Sequence, residues 1–273
     1  MNKLIWIIVA ILTCPEWTAT ASRIELAHGT LIIISATKSS IIVAADSGLT
    51  ENGKVISATE KKIFPVGHDS ACFFLGTVRV ALKGKAELTD LAAAARAWIV
   101  QHPHIGTREA YQGLLNLILD KLAIVRTQRP DPHSLVSLGC AGFDAGIPIL
   151  ILSDIYLQTD AGPRVNDGDR PLPPGLVLPV GRAKVAGEIL RGDGDALKSF
   201  KSEAAVTKYR EARKNGTWSS LTESDLLSIS SACLKATENR AGKDFDPEAA
   251  DVSAPNHFAV IDAQTGFRWV PLP

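Results

Sequence analysis

The chain has 273 residues, of which 46% are hydrophobic and 21% are charged. This composition is typical of a soluble globular protein that can bury one substantial core, so one domain is expected. Lysine plus arginine and aspartate plus glutamate are balanced at 29 each. A neutral chain gives no electrostatic reason to bind nucleic acid or an acidic membrane, and neither is expected as a partner.

Residues 1–21 have the three parts of a secretory signal peptide. Lys3 supplies a positive charge, residues 4–12 are uniformly apolar, and Ala19-Thr20-Ala21 is a small-x-small cleavage site. This apolar run is too short for a membrane span of about 20 residues, and Cys14 lacks the small residues that precede a lipidated cysteine. The sequence therefore predicts export, periplasmic or secreted, with no membrane contact after signal removal.

Three cysteines, Cys72, Cys140 and Cys233, remain after signal removal. An odd number cannot form a closed disulfide framework. Since Cys72 and Cys140 lie in apolar runs, they are predicted to be buried small hydrophobic residues, with at most one disulfide bond.

The first part of the chain is predicted to form a small β-layer. β-branched and apolar runs separated by polar turns predict four short strands, at 31–35, 41–45, 63–66 and 72–75. The segment 47–53 is interpreted as a turn, and so are 37–40 and 67–70.

Two helices are predicted next. Apolar residues recur at helical spacing up to His102-Pro103, at Leu82, Leu88, Leu91, Ala95, Trp98 and Ile99. A second helix has Thr107 as its candidate N-cap and ends before Pro130. Its apolar face comprises Tyr111, Leu114, Leu115, Ile118 and Leu122.

The second half alternates strands and helices. Buried strands are predicted at 135–142 and 147–153, and a final hairpin at 257–262 and 267–270. Between them, three helical patterns occupy 183–190, 204–214 and 221–237. The segment 159–179 is rich in Pro, Gly and Asp, and is predicted to be a long functional or mobile connection. This order of elements suits two packed sheets between helix layers.

Four short motifs stand at fixed distances from one another in the first part of the chain. They are Gly29-Thr30, Val43-Ala44-Ala45-Asp46-Ser47, Lys61-Lys62 and Leu75-Gly76-Thr77. In this register, residues 29–76 resemble the start of a proteasome β-subunit, a member of the N-terminal-nucleophile (Ntn) hydrolases, without insertion or deletion. A looser similarity continues at Cys140-Ala141-Gly142-Phe143-Asp144 and Gly146-Ile147-Pro148. The resemblance implies an α+β fold, a four-layer αββα sandwich, as a single domain over 30–273.

The resemblance also implies a threonine nucleophile at Thr30. A threonine hydroxyl needs a base within hydrogen-bond reach, and in this class the base is the residue's own α-amine, whose pKa is about 8. Thr30 must therefore become N-terminal by self-cleavage after Gly29, which makes residues 22–29 a short propeptide. Asp46 would hold Lys62 beside the hydroxyl, and a backbone N–H at Gly76 would stabilise the oxyanion.

The sequence departs from the family pattern at three places. Val180-Gly181-Arg182 stands where a Ser-Gly pair is expected to orient the amine. Asp251 and Ser253, candidate helpers of the amine, are two residues apart rather than three and are followed by Ala254-Pro255. Gly48 replaces an arginine that is common at the rim of the cleft.

We therefore expect a threonine peptidase acting on a peptide or another amide, with no cofactor and no metal. The chain could also associate with copies of itself into a homo-oligomer, as a ring or a smaller assembly. One alternative is a catalytically silent scaffold or binding subunit, and another is an Ntn amidase for a small-molecule or cell-wall amide, with 159–179 shaping its site. The polar groups at His102-Pro103-His104, Asp167-Gly168-Asp169 and Asp193-Gly194-Asp195 are interpreted as turns, because they lack further ligands at metal spacing.

Overall fold

The structure is a computed structural model of the chain, and it describes residues 27–28, 30–51, 54–57, 61–76, 78–81, 88–123, 134–158, 162–194, 203–239 and 252–271. The predicted signal peptide, residues 22–26, Gly29 and Asp251 lie outside this set, so the predictions made for them are not addressed by the structure. Among the described helices, none is both long and apolar enough to cross a bilayer.

The described strands, in chain order, are β1 (Ala27–His28), β2 (Leu31–Ala36), β3 (Ser40–Ala45), β4 (Leu49–Glu51), β5 (Lys54–Ser57), β6 (Ile63–Val66), β7 (Ser70–Gly76), β8 (Arg79–Ala81), β9 (Leu88–Asp90), β10 (Val136–Asp144), β11 (Ile147–Tyr156), β12 (Arg164–Pro171), β13 (Val177–Gly181), β14 (His257–Asp262) and β15 (Gly266–Val270). The described helices are α1 (Leu91–Gln101), α2 (Thr107–Leu122), α3 (Lys184–Arg191), α4 (Ala204–Lys214) and α5 (Glu223–Glu238), with a 3₁₀ turn at Trp218–Ser220.

Most of the strands form two five-stranded antiparallel sheets. The first sheet has the order β13-β2-β3-β14-β15, and the second has the order β12-β11-β10-β7-β6. Two smaller ladders, β1-β4-β5 and β8-β9, complete the described pairings. The four strands predicted for the first part of the chain therefore do not form one layer, because β2 and β3 belong to the first sheet and β6 and β7 to the second.

Hydrophobic clusters show how these elements are layered. Ile32 and Val43 of the first sheet pack against Phe73 of the second, so the sheets face each other. The outer face of the second sheet is covered by α1 and α2 through a separate cluster that includes Leu114. The outer face of the first sheet is covered by α3, α4 and α5. The protein is thus an α+β sandwich of helices, sheet, sheet and helices, as the order of the predicted elements suggested.

The central strands β2 and β3 form because their sequences suit burial on both faces. All six residues of each strand are buried, and most are β-branched or alanine. They pair antiparallel with Ile32 opposite Ala45. This register places the residues just after β3 beside the residues just before β2, which is where the candidate site forms.

Several element boundaries differ from the sequence prediction. The segment 47–53, predicted as a turn, contains β4. Leu88 lies in β9 rather than in the first helix, because Asp90 ends that strand and caps α1 by accepting a hydrogen bond from the Ala93 N–H at 2.8 Å. Thr107 is the first residue of α2 and not its N-cap, which is Gly106. The buried Thr107 hydroxyl instead lies 2.7 Å from the Ser70 hydroxyl.

The segment 159–179 was predicted to be a long functional or mobile connection, but its described part, 162–179, is largely strand. It contains β12 and the first part of β13. The mainly exposed, polar β12 lies at the edge of its sheet and is paired along its whole length with β11. Backbone pairing rather than side-chain burial holds this strand in place, which is why its sequence shows no alternating hydrophobic pattern.

The cysteines follow the predicted pattern of burial with one bridge. Cys72 on β7 lies directly opposite Cys140 on β10, and the two form a disulfide bond between neighbouring strands. Cys233 is a buried free thiol on α5, and burial raises its pKa to about 12.

Candidate active site

Thr30 lies directly before β2 and is held there by the end of β13. It is 5% exposed, and its carbonyl oxygen accepts a hydrogen bond from the Arg182 N–H at 3.0 Å. Gly181 makes this approach possible, since its φ is +80° and an added Cβ would lie 2.1 Å from the Thr30 carbonyl oxygen. The glycine of Val180-Gly181-Arg182 is therefore required, although the serine of the family pattern is absent.

Asp46 lies immediately after β3 and is fully buried. Its Oδ1 atom accepts a hydrogen bond from the Leu31 N–H at 2.8 Å, and its Oδ2 atom accepts one from the Gly48 N–H at 3.1 Å. Lys62 Nζ donates to the same Oδ2 atom at 2.8 Å. The carboxylate thus has three donors and connects the residue after Thr30 to the lysine.

The Asp46–Lys62 contact is a buried ion pair. The Lys62 side chain is only 5% exposed. Burial raises the pKa of the Asp46 carboxyl, while Lys62 and the N–H groups of Leu31 and Gly48 counteract that rise by stabilising the carboxylate. All three contacts are donated to the carboxyl oxygens, so the geometry suits the charged form at neutral pH. Such a pair adds little net stability, yet removing either partner is costly.

Thr30, Lys62 and Gly76 line one small pocket whose remaining wall is mostly apolar, with Lys61, Phe64, Phe74, Val78 and Ala92. Its volume is about 10 Å³, which is close to the space that one water molecule needs. Gly76 ends β7 with a φ of +79°, and an added Cβ would lie 2.8 Å from the Leu135 carbonyl oxygen. Conformation and space both require glycine at this wall.

A polar segment of the chain lies beside Asp46. The Ser253 carbonyl oxygen accepts a hydrogen bond from the Ser47 N–H at 3.2 Å. His257 begins β14 opposite Ala45. Among the described residues, the buried Ser253 Oγ, Asn256 Oδ1 and His257 Nε2 atoms have no hydrogen-bond partner. Buried polar atoms of this kind generally contact water or a ligand.

The His257 imidazole is electrostatically coupled to the ion pair. Burial lowers its pKa most, and the positive charges of Lys61 and Lys62 lower it further, while Asp46 acts in the opposite direction. A single histidine at the start of a strand matches no motif, so this residue was not predicted from the sequence.

The structure brings together the four principal residues predicted for the site. Asp46 contacts Lys62 directly, and Lys62 shares the pocket with Thr30 and Gly76. Ser253 reaches the site through its carbonyl group beside Ser47. The contributions of Leu31 and Gly181 were not anticipated, since both act through backbone geometry that only strand pairing defines.

The three polar groups that were interpreted as turns and not as metal sites have side chains in other contacts. His102 Nδ1 donates to the Trp98 carbonyl oxygen at 2.8 Å, Asp169 pairs with Arg108, and Asp193 pairs with Arg191 at 3.0 Å. Within the described part of the chain, no three His, Cys, Asp or Glu side chains are grouped as a metal site would require.

No protein-family model matches this sequence, and a search of curated proteins finds no match either.

Proposed function

We propose that the protein is a threonine-type amide hydrolase of the N-terminal-nucleophile class, with the sandwich corresponding to the αββα fold of proteasome subunits. The observation that carries this proposal is the buried Asp46–Lys62 pair, which adjoins the start of the strand headed by Thr30. A buried cation beside a hydroxyl favours the alkoxide, which is what a threonine nucleophile needs.

In the proposed mechanism, cleavage of the Gly29–Thr30 bond frees the α-amine of Thr30. The neutral amine accepts the Thr30 hydroxyl proton while the oxygen attacks the substrate carbonyl, and the Lys62 charge stabilises the developing alkoxide. The resulting tetrahedral oxyanion accepts a hydrogen bond from the Gly76 N–H. Asp46 acts as a positioning residue that keeps Lys62 in place and charged.

Collapse of this intermediate breaks the amide bond and leaves the acyl group as an ester on Thr30. The protonated α-amine gives its proton to the leaving nitrogen, which departs as an amine. Water then attacks the ester with the α-amine as its base, and the carboxylic acid product leaves with the Thr30 hydroxyl restored. Each proton taken by the amine is returned, so the cycle balances without a cofactor.

The proposal includes export through the signal peptide at 1–21. The Cys72–Cys140 disulfide bond fits this, because disulfide bonds persist mainly in oxidising compartments. The proposed substrate is a peptide or another amide, and assembly into a homo-oligomer is part of the proposal.

The second candidate function is a catalytically silent scaffold or binding subunit. Val180 favours this silent subunit, because it stands where the family pattern has a serine that orients the amine of the nucleophile. The two functions differ in whether Thr30 becomes a free N-terminus.

The test is intact-mass and N-terminal analysis of the purified wild type and of Thr30→Ala. We expect the wild type to begin at Thr30 and the variant to retain residues 22–29. Thr207→Ala, an exposed threonine on α4, is the matched control and should mature normally. If the wild type retains residues 22–29 as Thr30→Ala does, the hydrolase loses its base and the scaffold function is favoured.

The role of Lys62 is tested in the same way. Lys62→Ala should fold but neither mature nor hydrolyse a peptide amide, whereas Lys208→Ala, at an exposed lysine that pairs with Asp225, should do both. Wild-type turnover by Lys62→Ala would remove this lysine from the proposed mechanism. Folding of both variants is checked by circular dichroism.

A further inference from the structure

The disulfide bond lies close to one wall of the Thr30 pocket. Cys72 on β7 is bonded to Cys140 on β10, and both residues are fully buried. Phe74 and Gly76, which follow on β7, line the pocket. Residues two apart on a strand share one face of the sheet. The bonded cysteine and the two pocket residues therefore lie on the same face of β7.

The end of β7 that carries Gly76 is held by β10. In the described pairings, β6 reaches β7 only as far as Ile63, which stands opposite Phe73. Strand β10 continues past this point and pairs with β7 as far as Val136 opposite Gly76. The position of the Gly76 N–H, which is the proposed donor to the oxyanion, therefore depends on the register of β7 against β10.

Side-chain contacts between these two strands are limited at both ends of the pocket face. Gly76 stands opposite Val136 at one end. Gly142 stands opposite Ser70 at the other end. Pairs of side chains in direct contact stabilise neighbouring strands, and glycine has no side chain to contribute. The disulfide bond lies between the two ends and is the covalent link that fixes the register.

We propose that the Cys72–Cys140 disulfide bond positions Gly76, so that self-cleavage and amide hydrolysis require the oxidised cysteine pair. This inference rests on the proposed function for the chemistry that the bond controls. In the reduced chain the two strands lose their covalent link, and the Gly76 N–H no longer stays aligned with the developing oxyanion. The protein would thus become active only after oxidation, which suits a hydrolase that is made in a reducing compartment and then exported.

Formation of the bond is a two-electron oxidation of the cysteine pair. The thiolate of one cysteine attacks a sulfur atom of a low-molecular-weight disulfide, such as oxidised glutathione, and displaces one thiolate. The thiolate of the other cysteine attacks the mixed disulfide, which forms the Cys72–Cys140 bond and displaces the second thiolate. The two protons lost by the cysteines end on the two displaced thiolates, so the oxidant leaves as two thiols.

The first test compares one sequence in two redox states by hydrogen exchange. Thr30→Ala, which cannot self-cleave in the proposed mechanism, is refolded either in a glutathione redox buffer or with a phosphine reductant. The redox state is set during refolding because both cysteines are fully buried in the folded protein. We expect backbone amides of residues 73–76 to exchange about tenfold or more faster in the reduced protein, with less than about a twofold change in β2. Equal exchange at 73–76, or the same acceleration in both segments, would overturn the positioning role.

A kinetic test separates positioning from stability. At a temperature where circular dichroism shows both states of the wild type to be folded, the reduced protein should release residues 22–29 about tenfold or more slowly. Once each sample has matured, kcat for a peptide amide should be lower in the reduced protein, with KM little changed, because the Gly76 N–H acts on the oxyanion. A bond that only adds stability would lower the melting temperature and leave kcat unchanged, and that result would overturn the proposal.

Variants assign the redox response to this cysteine pair. Cys72→Ala/Cys140→Ala should behave like the reduced wild type in both buffers. The matched control is Cys233→Ala, which removes the buried free thiol on α5 and should respond to the reductant as the wild type does. Re-oxidation should restore the reduced wild type and leave the double variant unchanged. If the reduced wild type and the double variant both fail to fold, the bond holds the whole domain, and its specific role at Gly76 is overturned.

The two tests distinguish this inference from the proposed function. If the oxidised wild type retains residues 22–29 and hydrolyses no amide, the hydrolase is overturned, while the exchange of residues 73–76 still decides whether the bond positions Gly76. If both redox states mature and hydrolyse the amide equally, the positioning role is overturned and the hydrolase stands.

Discussion

Replacing Asp46 with asparagine tests the buried ion pair by a change of charge at nearly constant shape. The asparagine Oδ1 atom can still accept a hydrogen bond from the Leu31 N–H, now made at 2.8 Å. Lys62 would lose its charged acceptor at 2.8 Å while remaining 5% exposed. Removing one partner of a buried ion pair costs about 3–5 kcal/mol. At about 2–4 °C per kcal/mol for a protein of this size, the melting temperature should fall by roughly 6–20 °C.

The assay is urea and thermal unfolding of a double-mutant cycle. Asp46→Asn and Lys62→Met should each destabilise the protein by more than about 2 kcal/mol. The double variant leaves neither charge of the pair buried, so it should be more stable than the sum of the two losses predicts. Lys208→Met, at an exposed pair, is the control and should change stability by less than about 1 kcal/mol. Additive losses in the cycle, or a stable Asp46→Asn variant, would refute the argument that this pair is electrostatically coupled.

Two further predictions concern the surroundings of the site. Gly181→Ala should lower stability and slow the release of residues 22–29, because its Cβ would lie 2.1 Å from the Thr30 carbonyl oxygen. The rate of release is measured by mass spectrometry of samples taken at fixed times. Release at the wild-type rate would show that the contact is dispensable. The pKa of His257 is lowered from 6.5 in the folded protein. As the pH falls below about 6.5, the unfolded chain therefore binds a proton more readily than the folded protein does, and the free energy of unfolding decreases. The free energy of unfolding should therefore decline less between pH 7 and pH 5 in His257→Gln than in the wild type; equal declines would contradict the shift.

The strands with strong apolar patterns were predictable, and those formed by pairing alone were not. Strand β2 is a run of β-branched residues whose burial determines its conformation, and the sequence prediction is confirmed there. Strand β12 contains Asn166, Asp167 and Asp169 and is mostly exposed. It is a strand because β11 offers a free edge, a tertiary contact that local sequence does not encode.

The core of the candidate site was predictable from spacing, but its backbone supports were not. The positions of Asp46 and Lys62 follow from the motif register, and their contact is present in the structure. The approach of Gly181 and Arg182 to Thr30 depends on the pairing of β13 with β2, strands separated by more than a hundred residues. Periodicity within one segment contains no information on such pairing.

The peptide unit between Thr30 and Leu31 is hydrogen-bonded on both sides, which determines how ordered a new N-terminus at Thr30 would be. Its carbonyl is held by the Arg182 N–H, and its N–H is held by Asp46. Newly exposed termini usually fray, because nothing compensates the entropy of keeping them ordered. Here both groups already have partners from other segments, neither of which belongs to residues 22–29. A new N-terminus at Thr30 would therefore stay ordered in the pocket that it shares with Lys62, before any substrate binds.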